Sequence, residues 1–388
     1  MIECKSERLR ALPPYLFSEL NRRRNEVAAR GVDIIDMGVG DPDLPTPRIV
    51  VEAMKKAVEN PANHRYPTYT GMPSFREAVA AWFLGRFKVK LDPATQVIGL
   101  IGSKEGIGHL PLAVLNPGDV ALIPEPGYPV YGAATLFAGA EAHYMPLLES
   151  NAFLPDLDAI PASVLKKARL IFLNYPNNPT AGIAGVDFYR KTVIFAKKHG
   201  LIVASDAAYS EMGFGGYRAP SFLEAEGAMD VGIEFHSLSK TFNMTGWRVG
   251  FAVGNPEIVG ALTQFKTNMD SGIFQAVQEA AITALLSDQT TVGESLRIYQ
   301  ERRDLIVGAL NKMWLTAPLP KATFYVWFHV PAGYTSASFA TKLLEETGVV
   351  VTPGLGFGPS GEGYARISLT VPTERCREAV RRMEKAAF

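Results

Sequence analysis

Short apolar runs alternate with amphipathic stretches through the middle of the chain. The apolar runs are DVALIP (119–124), AHYMPL (142–147), RLIFLNYP (169–176), LIVASDAAY (201–209), IEFHSLS (233–239) and WRVGFAVG (247–254). Most are rich in β-branched or aromatic residues and end in Pro, Gly, Asn or Asp, a pattern typical of buried strands in a mainly parallel sheet. Stretches such as GVDFYRKTVIFAKKHG (185–200) separate some of them. The middle of the chain is therefore predicted to consist of strand–helix–strand units in an α/β domain.

The pattern changes after about residue 277. A long helical region follows, broken near residues 287–291, and then a predicted strand ATFYVWFHV (322–330) and two further helices. Before the α/β part, a short helix is predicted to end near Gly31, since glycine commonly terminates helices. We predict a large domain over residues 46–277 and a smaller α+β domain built from residues 1–45 and 278–388.

Composition narrows the class of protein. The 388 residues include 39 Lys+Arg and 39 Asp+Glu, so the formal net charge is zero and a polyanion is a poor candidate partner. The basic tract at 22–24 is flanked by Glu19 and Glu26 and is interpreted as a solvated helix face rather than a nucleic-acid patch. No apolar run approaches the roughly 20 residues that span a bilayer. We expect a cytoplasmic protein without nucleic-acid or membrane partners.

The two cysteines carry no recognisable site. Cys4 and Cys376 lie far apart in the sequence and in no metal-ligand spacing. Neither a disulfide framework nor a metal site is predicted.

A lysine with unusual neighbours follows one predicted strand. Lys240 lies among hydroxyl residues, with Arg248 eight positions later (240 + 8 = 248). Alone, Lys240 would be interpreted as a surface lysine, but Ser237, Ser239 and Arg248 suit a phosphate dianion. A reactive lysine beside a phosphate site is what pyridoxal 5′-phosphate requires, together with an anion at its pyridine nitrogen, donors to its ring oxygen and a flat ring partner.

Candidates for those further requirements also follow predicted strands, at the edge where open α/β sheets bind ligands. Asp206 ends the run LIVAS and is either a loop cap or the partner of a buried cation such as the pyridine nitrogen. Tyr209 and Asn178 could donate to the ring oxygen, although PNNP alone is only a turn signal. Tyr128, in PEPGYPVY, could stack on the ring or simply pack.

Three glycine-containing stretches could hold a phosphate. GSKEGIGHLPLAV places Ser103 and Lys104 at a predicted helix start, which either binds phosphate or merely caps the helix. GVGDPD (38–43) resembles a dinucleotide loop, but prolines follow where a helix should open, so a dehydrogenase is disfavoured. GLGFGPSGEG (354–363) precedes no helix and is interpreted as a mobile loop beside a site.

Taken in order, these stretches resemble those of fold-type I pyridoxal-phosphate enzymes, the class I/II aminotransferases. The stretches are GVGDPD, YPTYTGMPSFREAV, PEPGYPVY, NYPNNPTAG, SDAAY, SLSKTFNMTGWRVGF and PGLGFGPSGEGYARIS, and they cover nearly the whole chain. The resemblance implies a large domain with a mainly parallel seven-stranded sheet flanked by helices, plus a smaller α+β domain. It also implies transamination between an L-amino acid and 2-oxoglutarate.

The resemblance further implies roles for single residues. Lys240 would carry the cofactor and move the substrate proton, with Asp206 and Tyr209 as the other catalytic residues. Arg366 would bind the substrate α-carboxylate, together with Asn178 and the backbone of Gly40. The implied cofactor-binding residues are Ser103, Lys104, Tyr128, Asn178, Asp206, Tyr209, Ser237, Ser239, Lys240, Arg248 and Tyr66, the last reaching into the neighbouring subunit of a homodimer.

Within the family, the chain is most similar to the bacterial LL-diaminopimelate aminotransferases of lysine biosynthesis. That similarity suggests that Tyr15, Lys104 and Asn268 recognise the distal end of the substrate, which is polar and needs buried partners. Tyr15 could instead be a packing residue, and Asn268 could be a helix-start residue.

The alternative functions are a broader aspartate, alanine or aromatic aminotransferase and a carbon–sulfur β-lyase. A regulator on this fold would need an added DNA-binding domain, which the sequence does not show.

Overall fold

The computed structural model describes residues 4–12 and 16–386. The α-helices in these ranges are α1 (Glu7–Arg10), α2 (Leu16–Ala29), α3 (Arg48–Val58), α4 (Pro73–Phe87), α5 (Ser103–Val114), α6 (Val130–Phe137), α7 (Ala162–Leu165), α8 (Val186–His199), α9 (Leu238–Thr241), α10 (Pro256–Thr267), α11 (Gln275–Leu286), α12 (Thr290–Lys312), α13 (Ser336–Thr347) and α14 (Thr373–Met383). The strands are β1 (Ile35–Asp36), β2 (Val97–Leu100), β3 (Val120–Glu125), β4 (Glu141–Pro146), β5 (Ala168–Asn174), β6 (Ile202–Asp206), β7 (Gly232–Ser237), β8 (Gly250–Gly254), β9 (Tyr325–His329), β10 (Val349–Val350), β11 (Thr352–Pro353) and β12 (Tyr364–Ser368).

A seven-stranded sheet forms the centre of the molecule, in the order β2-β8-β7-β6-β5-β3-β4. Neighbours from β4 to β7 pair in parallel, whereas β8 runs antiparallel to both β7 and β2. The predicted mainly parallel α/β sheet is confirmed, and each of the six apolar runs covers all or all but one residue of one of the strands β3 to β8. The sequence analysis missed β2, because its four residues are too short a run to stand out.

Both faces of this sheet are covered by helices. In β5, Leu170 and Phe172 belong to one buried cluster, whereas Ile171 and Leu173 belong to another, because successive side chains of a strand point to opposite faces. One cluster includes side chains of α5, α6 and α10, and the other includes side chains of α4, α8 and α11. Because the sheet is buried on both faces, its strands appear in the sequence as continuous apolar runs rather than as alternating apolar and polar positions.

Local signals set the helix ends that matter for the sheet. The helix α8 starts after Gly185 and ends at Gly200, whose left-handed φ of 66° terminates the helix. Its last turn carries Lys197 and Lys198, whose positive charge is favourable at a helix C-terminus. The chain then returns directly into β6.

A second core lies at the two ends of the chain. The strands β11, β12 and β9 form an antiparallel sheet, and β1 pairs in parallel with β10. Ile35 and Met37 pack in one buried cluster with Ile306, Phe324 and Ile367. The N-terminal segment therefore packs on the C-terminal part of the chain, while the domain boundaries at 46–277 and 278–388 stay a prediction.

Some minor features also follow from the sequence. In the basic tract, Arg22 pairs with Glu26, and Arg24 lies 2.7 Å from Asp36. Cys4 is exposed and Cys376 is buried, both as free thiols. Across the described ranges, no helix is both long and apolar enough to cross a bilayer.

Candidate active site

A cavity of about 430 Å³ opens at the carboxyl ends of β5, β6 and β7. This is the edge of the sheet at which open α/β folds bind ligands. Most of the predicted site residues line it: Gly40, Ser103, Lys104, Tyr128, Asn178, Asp206, Tyr209, Ser237, Ser239, Lys240, Arg248 and Arg366.

One end of the cavity has the chemistry of an anion site. The helix α5 begins at Ser103, so its free backbone N–H groups face this end. Ser237 and Ser239 enter from the start of α9, and Arg248 adds a guanidinium. A Cβ atom on Gly102 would lie 2.2 Å from Nη2 of Arg248, so only glycine lets the arginine approach the helix start.

Lys240 lies on α9, directly after β7, and its Nζ donates to the carbonyl oxygen of Gly40 at 3.0 Å. The pKa of Lys240 is lowered to about 8, chiefly by burial; Asp41 opposes this lowering, and Arg248 and Arg366 contribute to it. A lysine with a lowered pKa carries more neutral amine near neutrality, which is the form that attacks a carbonyl carbon.

Asp206 ends β6 and is buried beside the cavity. Its Oδ2 accepts a hydrogen bond from the hydroxyl of Tyr131 at 2.8 Å, and its Oδ1 accepts from the backbone N–H of Ala208 at 3.3 Å. Burial raises the pKa of Asp206 to about 6, against the lowering effects of the Tyr131 and Ala208 hydrogen bonds and of His236. The group is therefore mainly ionised at pH 7 and offers a buried anion.

Arg366 is a buried cation aimed at the same space. Its Nη1 donates to Oδ1 of Asn178 at 2.7 Å, and its Nη2 donates to the carbonyl oxygen of Gly38 at 2.6 Å. Its Nε is buried without a hydrogen-bond partner. Burial lowers the pKa of Arg366, and among the ion pairs of residues 4–12 and 16–386 none includes it. A carboxylate ligand would satisfy this guanidinium.

Aromatic side chains shape the wall around Arg366. The guanidinium carbon lies 4.1 Å from the ring centre of Tyr325 and 4.7 Å from that of Phe357. The hydroxyl of Tyr325 is also 3.0 Å from that of Tyr209. A Cβ atom on Gly40 would lie 1.9 Å from the Tyr325 hydroxyl, so glycine is required there.

Tyr128 and Lys104 lie nearer the mouth. The ring of Tyr128 meets that of Tyr131 edge to face, with centroids 6.0 Å apart. The Nζ of Lys104 lies 5.7 Å from the centre of the Tyr128 ring, and Lys104 is exposed. A substrate group that extends out of the cavity would therefore meet a positive charge.

The remaining predicted residues lie elsewhere. Tyr66 is 89% exposed in a surface hollow with His64 and Phe274. Asn268 terminates α10, where its Nδ2 donates to the carbonyl oxygen of Gln264 at 2.8 Å. The alternative interpretation of Asn268 as a helix-start residue is thus wrong, because it lies at the helix end. Tyr15 lies outside the described residues.

Sequence reasoning did not single out Tyr131, Tyr325 or Phe357, although all three bear on the cavity or its polar groups. Tyr131 gave no local signal, because Tyr128 precedes α6 and the partner of Tyr131, Asp206, lies 75 residues further along the chain. Tyr325 had none, because one tyrosine in the apolar strand YVWFH predicts only packing.

Comparisons with known proteins are consistent with this geometry. Residues 32–383 match the family described as aminotransferase class I and II. The chain is 57% identical to the LL-diaminopimelate aminotransferase of Syntrophobacter fumaroxidans over 388 residues, which is 100% of each chain. It is 58% identical to that of Nitratidesulfovibrio vulgaris (strain Hildenborough) over 381 residues, 98% of each. Substrate-bound BacF from Bacillus subtilis has a similar structure, with a TM-score of 0.94 at 42% identity, covering 99% of this chain and 98% of that one.

Proposed function

The chain belongs to the aminotransferase class I and II family and is an aminotransferase, and we propose that it works with bound pyridoxal 5′-phosphate on LL-2,6-diaminopimelate. The partner is 2-oxoglutarate, and the reaction connects diaminopimelate with tetrahydrodipicolinate in lysine biosynthesis. The observation that carries the substrate assignment is the 57% identity to an LL-diaminopimelate aminotransferase along the whole of both chains.

The donor set of the cavity fits this cofactor. Lys240 offers an amine with a lowered pKa, Asp206 offers a buried anion, and the start of α5 with Arg248 offers an anion site. When bound, pyridoxal phosphate supplies an aldehyde that takes up the amino group and a protonated ring that accepts the electron pair released at the substrate Cα.

Each residue then has a separate task. Arg366 binds the substrate α-carboxylate, which supplies the acceptor that its buried Nε otherwise lacks. Lys240 would accept the proton from the substrate Cα at its Nζ and later give it back, a task suited to a lysine whose pKa lies near the working pH. Asp206 keeps a negative charge beside the pyridine nitrogen.

Aromatic rings around Arg366 support binding of the substrate α-carboxylate. Tyr209, Tyr325 and Phe357 surround the polar groups and keep water from Arg366. Electrostatic interactions are stronger where water is excluded, so the α-carboxylate is held firmly in one orientation.

The distal end of the substrate is assigned to the mouth of the cavity. The second amino-acid group of diaminopimelate carries a carboxylate and an ammonium, and Lys104 offers the carboxylate a positive partner. Tyr15 and Asn268 stay predictions for this end. If Asn268 takes part, it does so from outside the cavity of its own chain, because it lies at the end of α10.

We include a homodimer in the proposal. Tyr66 and Phe274 line one surface hollow, and Tyr69 and Met269, close to these two residues in the sequence, are also exposed. Clustered exposed apolar surface is typical of protein interfaces. In this arrangement, Tyr66 reaches the phosphate in the partner subunit.

Mixed dimers test the shared site. Lys240→Ala and Tyr66→Phe subunits are each expected to form weakly active or inactive homodimers. Mixing them creates one site per hybrid dimer with both native residues, so activity should partly return. A monomer by analytical ultracentrifugation, or no recovery on mixing, would refute the shared site.

The substrate assignment is tested by visible absorbance. The purified protein is loaded with pyridoxal phosphate and mixed with LL-diaminopimelate, and in parallel with aspartate, alanine and phenylalanine. The proposal predicts rapid loss of the yellow colour with diaminopimelate only. Loss with the other amino acids instead would retain the aminotransferase and reject the specificity. Release of pyruvate and sulfide from a cysteine substrate would indicate the β-lyase.

A further inference from the structure

We propose that Tyr131 is a positioning residue, which orients Asp206 against the ring nitrogen of the proposed cofactor by donating a hydrogen bond to one carboxylate oxygen. The inference rests on the proposed function, since it concerns how that cofactor is held. Tyr131 does not line the cavity, so it acts through Asp206 rather than by direct contact.

The two carboxylate oxygens of Asp206 are held from different directions. Oδ2 accepts from the Tyr131 hydroxyl at 2.8 Å, and Oδ1 accepts the longer bond from the N–H of Ala208 at 3.3 Å. Tyr131 is 0% exposed and Asp206 is 5% exposed, so water does not compete freely for these bonds. The Tyr131 bond is the shorter of the two and the better placed to fix the carboxylate plane.

Tyr131 is itself held rigidly. Its ring stacks on Phe172 of β5, with centroids 4.8 Å apart and an interplanar angle of 21°. It also contacts the Tyr128 ring edge to face, with an interplanar angle of 85°. The direction of the hydroxyl is therefore set by packing before any ligand binds, which is how a supporting residue makes a site precise.

Of the side chains that face Asp206, Tyr131 is the one that donates a hydrogen bond to its carboxylate, because the others are paired elsewhere. The facing groups are Tyr131 on α6, His236 on β7 and Tyr209 in the turn after β6. The Nε2 of His236 is 2.8 Å from a carboxylate oxygen of Glu234, and Tyr209 pairs with Tyr325. Burial and Asp206 raise the pKa of Tyr131 well above its usual value, so Tyr131 stays a hydrogen-bond donor. Loss of its hydroxyl would leave a buried carboxylate that ionises less readily.

Tyr131→Phe removes only the hydroxyl, and Tyr175→Phe is a matched control. Tyr175 is also buried and donates to the backbone oxygen of Phe153 at 2.7 Å, away from the cavity.

The cofactor-free protein is titrated with pyridoxal phosphate and with an analogue whose ring nitrogen is replaced by CH. Tyr131→Phe is expected to weaken pyridoxal phosphate binding roughly tenfold, as for loss of a hydrogen bond to a charged group. Binding of the analogue should not change, and Tyr175→Phe should change neither.

An equal loss with both cofactors would show that Tyr131 only supports packing and would overturn the inference, as would no loss with either. Wild-type protein that binds neither cofactor would overturn the proposed function as well, so the two failures are distinguishable.

A double-mutant cycle gives a second test, with circular dichroism as the check that each variant is folded. In an Asp206→Asn background, Tyr131→Phe should cause no further loss of pyridoxal phosphate affinity, since the carboxylate it supports is gone. Additive losses would contradict the inference. Wild-type affinity should also fall as pH falls through the pKa of Asp206, and in Tyr131→Phe that fall should begin at a higher pH.

Discussion

This molecule has two sets of buried or partly buried charges, and they differ in whether they form ion pairs. Lys266 on α10 is 0% exposed, and its Nζ lies 3.2 Å from Glu105 and 2.6 Å from Asp270. We call these the paired charges. Lys240, Asp206 and Arg366, the site charges, make no ion pair with one another or with any group in the described part of the chain. Burying a charge without an opposite partner is costly, so such a group marks a place where a ligand completes the pairing.

The paired charges also show why a cluster of ligand-type side chains is no metal site here. Glu105, His109 and Asp270 place possible ligand atoms within 4.8 Å of one another. However, the ammonium of Lys266 already lies against both carboxylates. Its role is structural, since it joins α10 to α5, the helix that starts the anion site.

The largest expected effect comes from removing a site charge that reacts. Lys240→Ala should lower transamination by roughly 10²–10⁴-fold or more, because it removes the general acid–base group. Circular dichroism should show an unchanged fold. Lys55→Ala, which removes an exposed lysine paired with Glu52, is the control and should be fully active. Turnover retained by Lys240→Ala would refute its assignment.

Removing a paired charge should instead affect stability. Lys266→Met leaves the partly buried carboxylates of Glu105 and Asp270 without a cation and should lower the free energy of unfolding by about 2–4 kcal/mol. Denaturant unfolding monitored by fluorescence measures this loss. Adding Asp270→Asn to Lys266→Met should recover part of it. If Lys266→Met were as stable as the wild type, the distinction between the two sets of charges would fail.

Arg366→Lys keeps the charge but loses the planar pair of donors. The expected result is a rise in KM for the amino acid of roughly 10–100-fold, because a single ammonium cannot bind a carboxylate bidentately. Thermal stability should fall less than in Lys266→Met, since Arg366 loses hydrogen bonds but no ion pair. A lower melting temperature with unchanged KM would instead place Arg366 among the structural charges.

The smallest effect is a dependence on pH. The pKa of Lys240 is lowered to about 8, so its neutral amine increases as pH rises through 8. The rate at which the cofactor-free protein takes up pyridoxal phosphate at Lys240 should rise with pH and level off above that value. Asp206 does not limit this range, because its pKa of about 6 lies lower. A rate independent of pH between 7 and 9 would argue against a lowered lysine pKa.

Features that depend on neighbouring positions along the chain could be predicted from the sequence. Strands β3 to β8 were visible because each is an apolar run that ends in a polar or turn residue. Lys240, Asp206 and Asn178 were visible because they follow such runs directly. These assignments depend on local order along the chain, which the sequence shows.

Other features depend on contacts between distant residues. The contact between Tyr131 and Asp206 joins positions 75 residues apart, and nothing in the sequence around either residue specifies it. The same holds for Lys266, which the sequence does not distinguish from a surface lysine until α5 packs beside α10. Asn268 was harder still, since it does not line the cavity of its own chain.

Borohydride reduction with peptide mass spectrometry tests the central claim most directly. The protein loaded with pyridoxal phosphate is reduced, digested and searched for lysines that carry the cofactor. The account predicts that Lys240 is modified, while the buried but paired Lys266 and the exposed Lys104 are not. Modification of Lys266 or Lys104 in place of Lys240, or of no lysine at all, would contradict the claim that an unpaired buried charge marks the site.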